Sequence, residues 1–128
     1  MINEILKFNK EFVANKGYEK FVTNKYPDKK IAILSCMDTR LTELLPAALG
    51  VKNGDVKMIK NAGGIISHPF GSVIRSLLVA IFELGVTDVM VVDGEGNSTI
   101  AAGDLLSAAD ATIHTTTAPT AVFSPAAQ

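Results

Sequence analysis

The 128-residue sequence has one cysteine, no tryptophan and no long apolar run. An internal disulfide needs two cysteines, so the single Cys36 excludes one, which fits a reducing compartment. The longest wholly apolar stretch, 77–82, is far shorter than the roughly 20 residues that a membrane-spanning helix needs. The amino-terminal residues mix acidic, basic and apolar side chains and lack a secretory signal. We therefore expect a cytoplasmic protein without a membrane partner.

Positive charge is scarce and unevenly distributed. The net charge is −1, and all 12 Lys and Arg residues lie before position 76. Residues 93–128 contain four acidic and no basic residues, and half of them are Ala, Thr or Ser. A chain without a basic stripe is a poor nucleic-acid binder, and its 48% hydrophobic content excludes a disordered chain. We expect one domain over 1–128, with a divergent segment over 93–128.

The spacing of apolar residues predicts an α/β fold. Helical and extended patterns alternate along the chain, which implies a parallel β-sheet flanked by helices. Ligands of such sheets bind beyond the carboxyl ends of the strands. The predicted order is helix 2–16, strand 31–36, helix 42–49, strand 56–61, helix 72–85, strand 88–92, helix 98–111 and an extended or loose end over 112–128.

Three side chains suited to chemistry lie at the end of the first predicted strand. Cys36, Asp38 and Arg40 alternate, so an extended segment places them on one side. A thiolate is a good zinc ligand, a carboxylate can be another, and an arginine can orient that carboxylate with a bidentate pair. The same residues also fit a structural role, because a lone cysteine packs as a small apolar residue and an Asp–Arg pair can join a loop to a helix. The spacing leaves both interpretations open.

A series of motifs over residues 1–92 resembles the β-class carbonic anhydrases. In chain order these are an amphipathic amino-terminal helix, C-x-D-x-R, G-x-x-x-G-D at 50–55, N-A-G-G at 61–64 and the helix SVIRSLLVAIFELG. The resemblance implies an α/β fold around a parallel sheet, a homodimer or larger assembly, and zinc-dependent hydration of CO2 to bicarbonate. Family members usually continue to a further strand and helices, so we expect a truncated form of the fold.

The resemblance also implies roles for individual residues. By position, Cys36 is a zinc ligand, and Asp38 is the carboxylate that binds the metal or releases it to a water. Arg40 is the partner of Asp38, and the two form the catalytic pair. The loop that lines the substrate site consists of Asn61, Ala62, Gly63 and Gly64.

The resemblance fails after the third predicted strand. The family has a G-H-x-x-C-G segment there, which supplies a histidine and a second cysteine to the metal. Gly94 and Asn97 stand at those two positions in this chain. Catalytic zinc sites normally have three protein ligands, whereas Cys36 and Asp38 supply only two. We therefore predict weak zinc binding and CO2 hydration little above the uncatalysed background.

Other residues offer only weak substitutes for the missing ligands. Asp93 and Glu95 lie in the appropriate loop and carry oxygen ligands, but they need a different loop geometry. His68 and His114 are not spaced as a known metal motif with each other or with Cys36.

Two alternative functions remain. One is a non-catalytic oligomeric scaffold with the family fold. The other is a phosphate- or anion-binding module, because DGEGNST at 93–99 has two glycines and hydroxyl donors before a predicted helix. The second pattern is weak, since it lacks a third glycine and a lysine and contains two acids that repel a phosphate.

Overall fold

The computed structural model describes residues 1–66, 68, 71–93 and 112–117. Four parallel strands form a sheet in the order β2-β1-β3-β4. The predicted α/β class, a parallel sheet flanked by helices, is confirmed. In chain order the elements are α1 (Ile2–Ala14), a 3-10 helix (Gly17–Phe21), β1 (Ile31–Cys36), α2 (Leu41–Leu49), β2 (Val56–Asn61), α3 (Ser72–Phe82), β3 (Asp88–Asp93) and β4 (Thr112–Thr117).

Most predicted elements agree with the structure to within a few residues. The first two strands have the predicted bounds, and β3 extends one residue past the predicted 88–92. The predicted helix over 72–85 is too long, because the α3 helix ends at Phe82 and a turn leads to Gly85 in a left-handed conformation, with φ of +77°. The predicted helix over 98–111 lies outside the described residues.

Of the two alternatives for the end from residue 112, extended or loose, β4 shows an extended backbone over Thr112–Thr117. Residues 112–117 pair in parallel with β3, from Asp88 opposite Thr112 to Asp93 opposite Thr117. Threonine and isoleucine are β-branched and favour an extended backbone, so this segment suits a strand. The prolines that suggested a loose end, at 119 and 125, both lie beyond it.

Each face of the sheet carries its own apolar cluster. On one face, α3 packs Ile74 and Leu77 against alternate residues of β1 and β3, including Leu34 and Val89. On the other face, α2 packs two leucines against Ile33 and Val92. Successive side chains of a strand point to opposite faces, so the continuous apolar runs of β1 and β3 supply both clusters.

The amino-terminal helix α1 lies apart from these clusters. It contains no buried residue, and its Phe12 ring packs against Phe21 of the 3-10 helix with centroids 6.5 Å apart. Several large apolar side chains of α1 are exposed, namely Ile2, Ile5, Leu6, Phe8 and Val13. Among the described residues, no helix has the length and apolar character needed to cross a bilayer.

Shortening a buried side chain of α3 should destabilise the fold far more than shortening an exposed side chain of the same helix. Leu77 is fully buried, whereas Phe82 is 67% exposed. We expect Leu77→Ala to lower the free energy of unfolding by about 2–5 kcal/mol, because it leaves a cavity between the helix and the sheet. Phe82→Ala is the control and should cost less than about 1 kcal/mol. Urea denaturation followed by circular dichroism measures both, and equal losses would contradict this packing.

Candidate active site

The carboxyl ends of β1, β2 and β3 meet at one edge of the sheet, as the parallel topology predicts. Cys36 pairs with Asn61 on one side, and its neighbour Ser35 pairs with Val92 on the other. The Met37 N–H donates to the Asn61 carbonyl at 2.8 Å, which continues the pairing beyond the end of β1. The structure therefore brings the predicted C-x-D-x-R and N-A-G-G segments together.

Gly64 packs directly against the ends of two strands. Its φ is +64°, and a Cβ placed on it would lie 3.0 Å from the Cys36 nitrogen and 3.1 Å from the Val92 carbonyl oxygen. These atoms belong to the sheet backbone and cannot move aside as a flexible side chain would. Glycine is required here both for its conformation and for the space.

Asn61 holds the same loop in shape with its side chain. Its Nδ2 donates to the Ile65 carbonyl at 2.6 Å, and its Oδ1 accepts from the Ile65 N–H at 3.1 Å. The carboxamide therefore bridges the loop over Gly63 and Gly64. Sequence reasoning missed this role, because it assigned Asn61 only to the lining of the site.

Cys36 lies half-buried at the edge of the apolar cluster beneath α2. It packs against the cluster that contains Ile33, Leu41, Leu45 and Val92. This contact agrees with the structural interpretation of a cysteine at a strand end. The half-exposed position also leaves the thiol accessible from the loop side.

Asp38 and Arg40 form a closed pair at the start of α2. The Arg40 Nη2 donates to Asp38 Oδ2 at 2.8 Å, and the Arg40 Nε donates to Oδ1 at 3.0 Å. The Arg40 backbone N–H also donates to Oδ1 at 2.8 Å, which anchors the turn that enters the helix. Both carboxylate oxygens are therefore bonded within this short segment.

This pairing favours the ionised form of Asp38. The side-chain hydrogen bonds from Arg40, followed by its backbone N–H, lower the pKa of Asp38 from 3.8 to about 2. The same hydrogen bonds raise the pKa of Arg40. The pair is thus a carboxylate and a guanidinium throughout the neutral and mildly acidic range.

The donor set of the described residues does not fit a catalytic zinc ion. Within 1–66, 68, 71–93 and 112–117, no group of three or more His, Cys, Asp or Glu side chains is placed to hold a metal. The candidates at this edge are Cys36 and Asp38 at the end of β1 and Asp93 at the end of β3, and Asp38 is already bonded to Arg40 through both oxygens. A zinc site with an open position normally uses three protein ligands.

Of the remaining candidate ligands, the strand pairing brings Asp93 beside the end of β1, whereas His68 and His114 lie elsewhere in the described part of the chain. The His68 ring lies against Gly71, next to the start of α3. His114 occupies the middle of β4, opposite Met90. Asp93 is the last residue of β3, next to the end of β1, whereas Glu95 and the rest of the DGEGNST segment lie outside the described residues.

The structure is a parallel α/β sheet with the C-x-D-x-R and N-A-G-G segments together at its carboxyl edge. The carbonic anhydrase family model matches residues 31–116. The chain belongs to the β-carbonic anhydrase family.

Individual relatives support the same assignment. YtiB of Bacillus subtilis, which is named as a carbonic anhydrase, is 59% identical over 92 residues, covering 72% of this chain and 49% of YtiB. The solved β-carbonic anhydrase isoform I of Trichomonas vaginalis is 32% identical and superposes with a TM-score of 0.68, covering 86% of this chain and 64% of that one. The carbonic anhydrase of Glaciozyma antarctica is 36% identical with a TM-score of 0.53, covering 68% and 47%. The chain spans about half the length of the curated relatives it matches.

Two glycines with similar φ provide a test of the close approach at the strand ends. Gly50 has a φ of +67° and nothing within 4 Å of an added Cβ, whereas Gly64 meets sheet backbone. Gly50→Ala should cost about 1–2 kcal/mol from backbone strain alone. Gly64→Ala should cost about 1–3 kcal/mol more, because the added methyl group overpacks the strand ends. Chemical denaturation of both variants measures the difference, and equal costs would refute the contact.

Removal of the arginine should raise the pKa of Asp38. In metal-free Arg40→Gln protein we expect the Asp38 pKa to move from about 2 toward 3.8. In the parent chain, the folded state binds the Asp38 proton less readily than the unfolded state does. The pairing therefore stabilises the fold fully above pH 3.8, and this contribution disappears as the pH falls toward about 2. Carboxyl-carbon NMR titration measures the shift. Lys10→Gln serves as the control and should leave the Asp38 pKa unchanged.

Proposed function

We propose that this chain is a β-carbonic anhydrase with an impaired metal site. By its family, the reaction is zinc-dependent hydration of CO2 to bicarbonate in the cytoplasm. With Gly94 and Asn97 at the two ligand positions, the chain binds zinc weakly and hydrates CO2 at a rate little above the uncatalysed background. The observation that carries the proposal is the donor set at the strand ends: the described candidates are Cys36, Asp38 and Asp93, and no group of three or more His, Cys, Asp or Glu side chains of the described residues could hold a metal.

The proposed roles of the retained residues follow from their contacts. Cys36 and Asp38 are the surviving zinc ligands, and Arg40 orients Asp38 through its bidentate contact. The loop from Asn61 to Gly64 lines the substrate site, and the Asn61 carboxamide holds its shape. Asp93 and Glu95 are the proposed oxygen substitutes if a metal binds at all.

The loss of a thiolate and an imidazole explains why activity should fall. Zinc prefers sulfur and nitrogen ligands, and these two supply most of the binding free energy in a site that combines them with one cysteine. An asparagine carboxamide is a much weaker ligand than a thiolate, and a glycine offers no side chain.

A non-catalytic oligomeric scaffold is the second candidate, and the exposed apolar side chains of α1 suit the assembly that it requires. The exposed apolar side chains of α1 have no partner in the two described core clusters. An apolar stripe of this kind gains stability when a second subunit covers it. We propose a homodimer or higher homo-oligomer, which is compatible with either function.

Zinc content distinguishes an impaired site from a working one. We expect protein purified without chelators to hold much less than one zinc ion per chain, and Cys36→Ala to change this little. The variant Gly94→His/Asn97→Cys restores the residue types that the family uses at these positions, so it should bind more zinc than the parent. Elemental analysis by mass spectrometry measures all three proteins.

A CO2-hydration assay with added zinc completes this test. The parent chain should stay near the uncatalysed rate, because two ligands do not hold the metal in a three-ligand catalytic site. About one zinc ion per chain, lost in Cys36→Ala and accompanied by rapid hydration, would overturn the proposal. It would then point to Asp93 or Glu95 as substitute ligands.

A further inference from the structure

Two adjoining open clefts lie far along the sheet from the candidate active site. Their volumes are about 180 and 490 Å³, and both include Thr23 and Asn53 in their walls. The smaller cleft reaches Val56, the first residue of β2, whereas the candidate active site lies beyond the last residue of that strand. The clefts therefore have no share in the chemistry proposed above.

Hydrogen bonds hold the walls of these clefts in place. The Asn53 Nδ2 donates to the Phe21 carbonyl at 2.7 Å, which ties the turn before β2 to the 3-10 helix. The Asp28 N–H donates to the Gly54 carbonyl at 2.9 Å, and the Tyr26 N–H donates to Asn24 Oδ1 at 2.8 Å. The surface is preformed, so a partner would not need to order it on binding.

Positive charge dominates the lining of both clefts. Four lysines contribute to the walls, and Asp28 is the one acidic residue among the lining residues. Among the described residues, none of these lysines takes part in an ion pair; the pair that the described chain does contain joins Arg40 and Asp38. The four lysines are Lys20, Lys25, Lys52 and Lys57.

Apolar side chains accompany this charge. Phe21, Val22 and Tyr26 are 49%, 76% and 51% exposed. The Lys20 ammonium lies 5.2 Å from the centre of the Phe21 ring, and the Lys25 ammonium lies 5.3 Å from that of Tyr26. Each cation thus stands beside an aromatic face that a ligand could also contact.

We propose that this lysine-lined surface, which comprises the two clefts, binds a peptide segment of a partner protein. The segment contains acidic residues together with aromatic or aliphatic ones. The four lysines match the negative charges, and Phe21, Val22 and Tyr26 match the apolar side chains. A compact anion fits less well, because the four lysines are divided between two open clefts, with two in each. Electrostatic attraction at such a surface speeds association and selects the partner by charge.

Fluorescence anisotropy with a labelled peptide of repeated Asp-Glu-Phe sequence tests this proposal. The parent chain should bind the peptide, and the affinity should fall as salt rises from about 50 to 200 mM. The version in which Asn and Gln replace Asp and Glu should not bind. Lys20→Gln/Lys52→Gln should weaken binding about fivefold or more, because two exposed charge pairs are lost.

The matched control is Lys7→Gln/Lys10→Gln on α1, which removes the same charge away from the clefts. It should leave peptide affinity within about twofold of the parent. Equal weakening in both double variants, no peptide binding, or tighter binding of a single-stranded RNA oligomer would each overturn the proposal. Circular dichroism confirms that both variants remain folded. Zinc content plays no part in this readout, so the outcome is independent of the proposed function.

Discussion

The close contact between the Gly64 backbone and the ends of β1 and β3 is the constraint on which the candidate site depends. It presses the N-A-G-G loop against the residues around Cys36, and the Asn61 carboxamide keeps that loop in shape. Neither feature requires a metal. The geometry of this loop therefore does not depend on a bound metal, because packing and the hydrogen bonds of the Asn61 side chain maintain it.

The contacts of the Asp38–Arg40 pair also form without a metal ion. Arg40 bonds both oxygens of Asp38 and also contributes its backbone N–H, so the carboxylate is satisfied within the turn that starts α2. A carboxylate in this state can bind a metal ion through a lone pair that Arg40 leaves open, since each carboxylate oxygen carries two. The structural and functional interpretations of the pair are therefore compatible: the same contacts anchor the helix and orient a ligand.

Sequence patterns predicted β1 and β3 well because these strands are buried on both faces and are continuous apolar runs, whereas the alternation of VKMIKN predicted the half-buried edge strand β2. β1 and β2 have the predicted bounds, and Cys36, Asp38 and Asn61 gather at the predicted edge. The patterns did not show that the extended end from residue 112 forms a sheet strand. The polar threonines of β4 give no apolar signal, and the strand is defined by its pairing with β3. They also missed the Asn61 bridge, because side-chain hydrogen bonds to a loop depend on the folded turn rather than on spacing along the chain.

The described core and the family's missing ligands lie in different parts of this chain. The buried residues of the two described clusters lie between 32 and 92, whereas the resemblance implies that the family takes its histidine and second cysteine from the segment after β3. A change confined to that segment leaves these described cluster residues in place. Small zinc proteins that lack a core unfold without metal, because the metal supplies their folding free energy. Here apolar burial supplies it, so selection or design can alter the metal ligands while the scaffold and its lysine-lined surface remain.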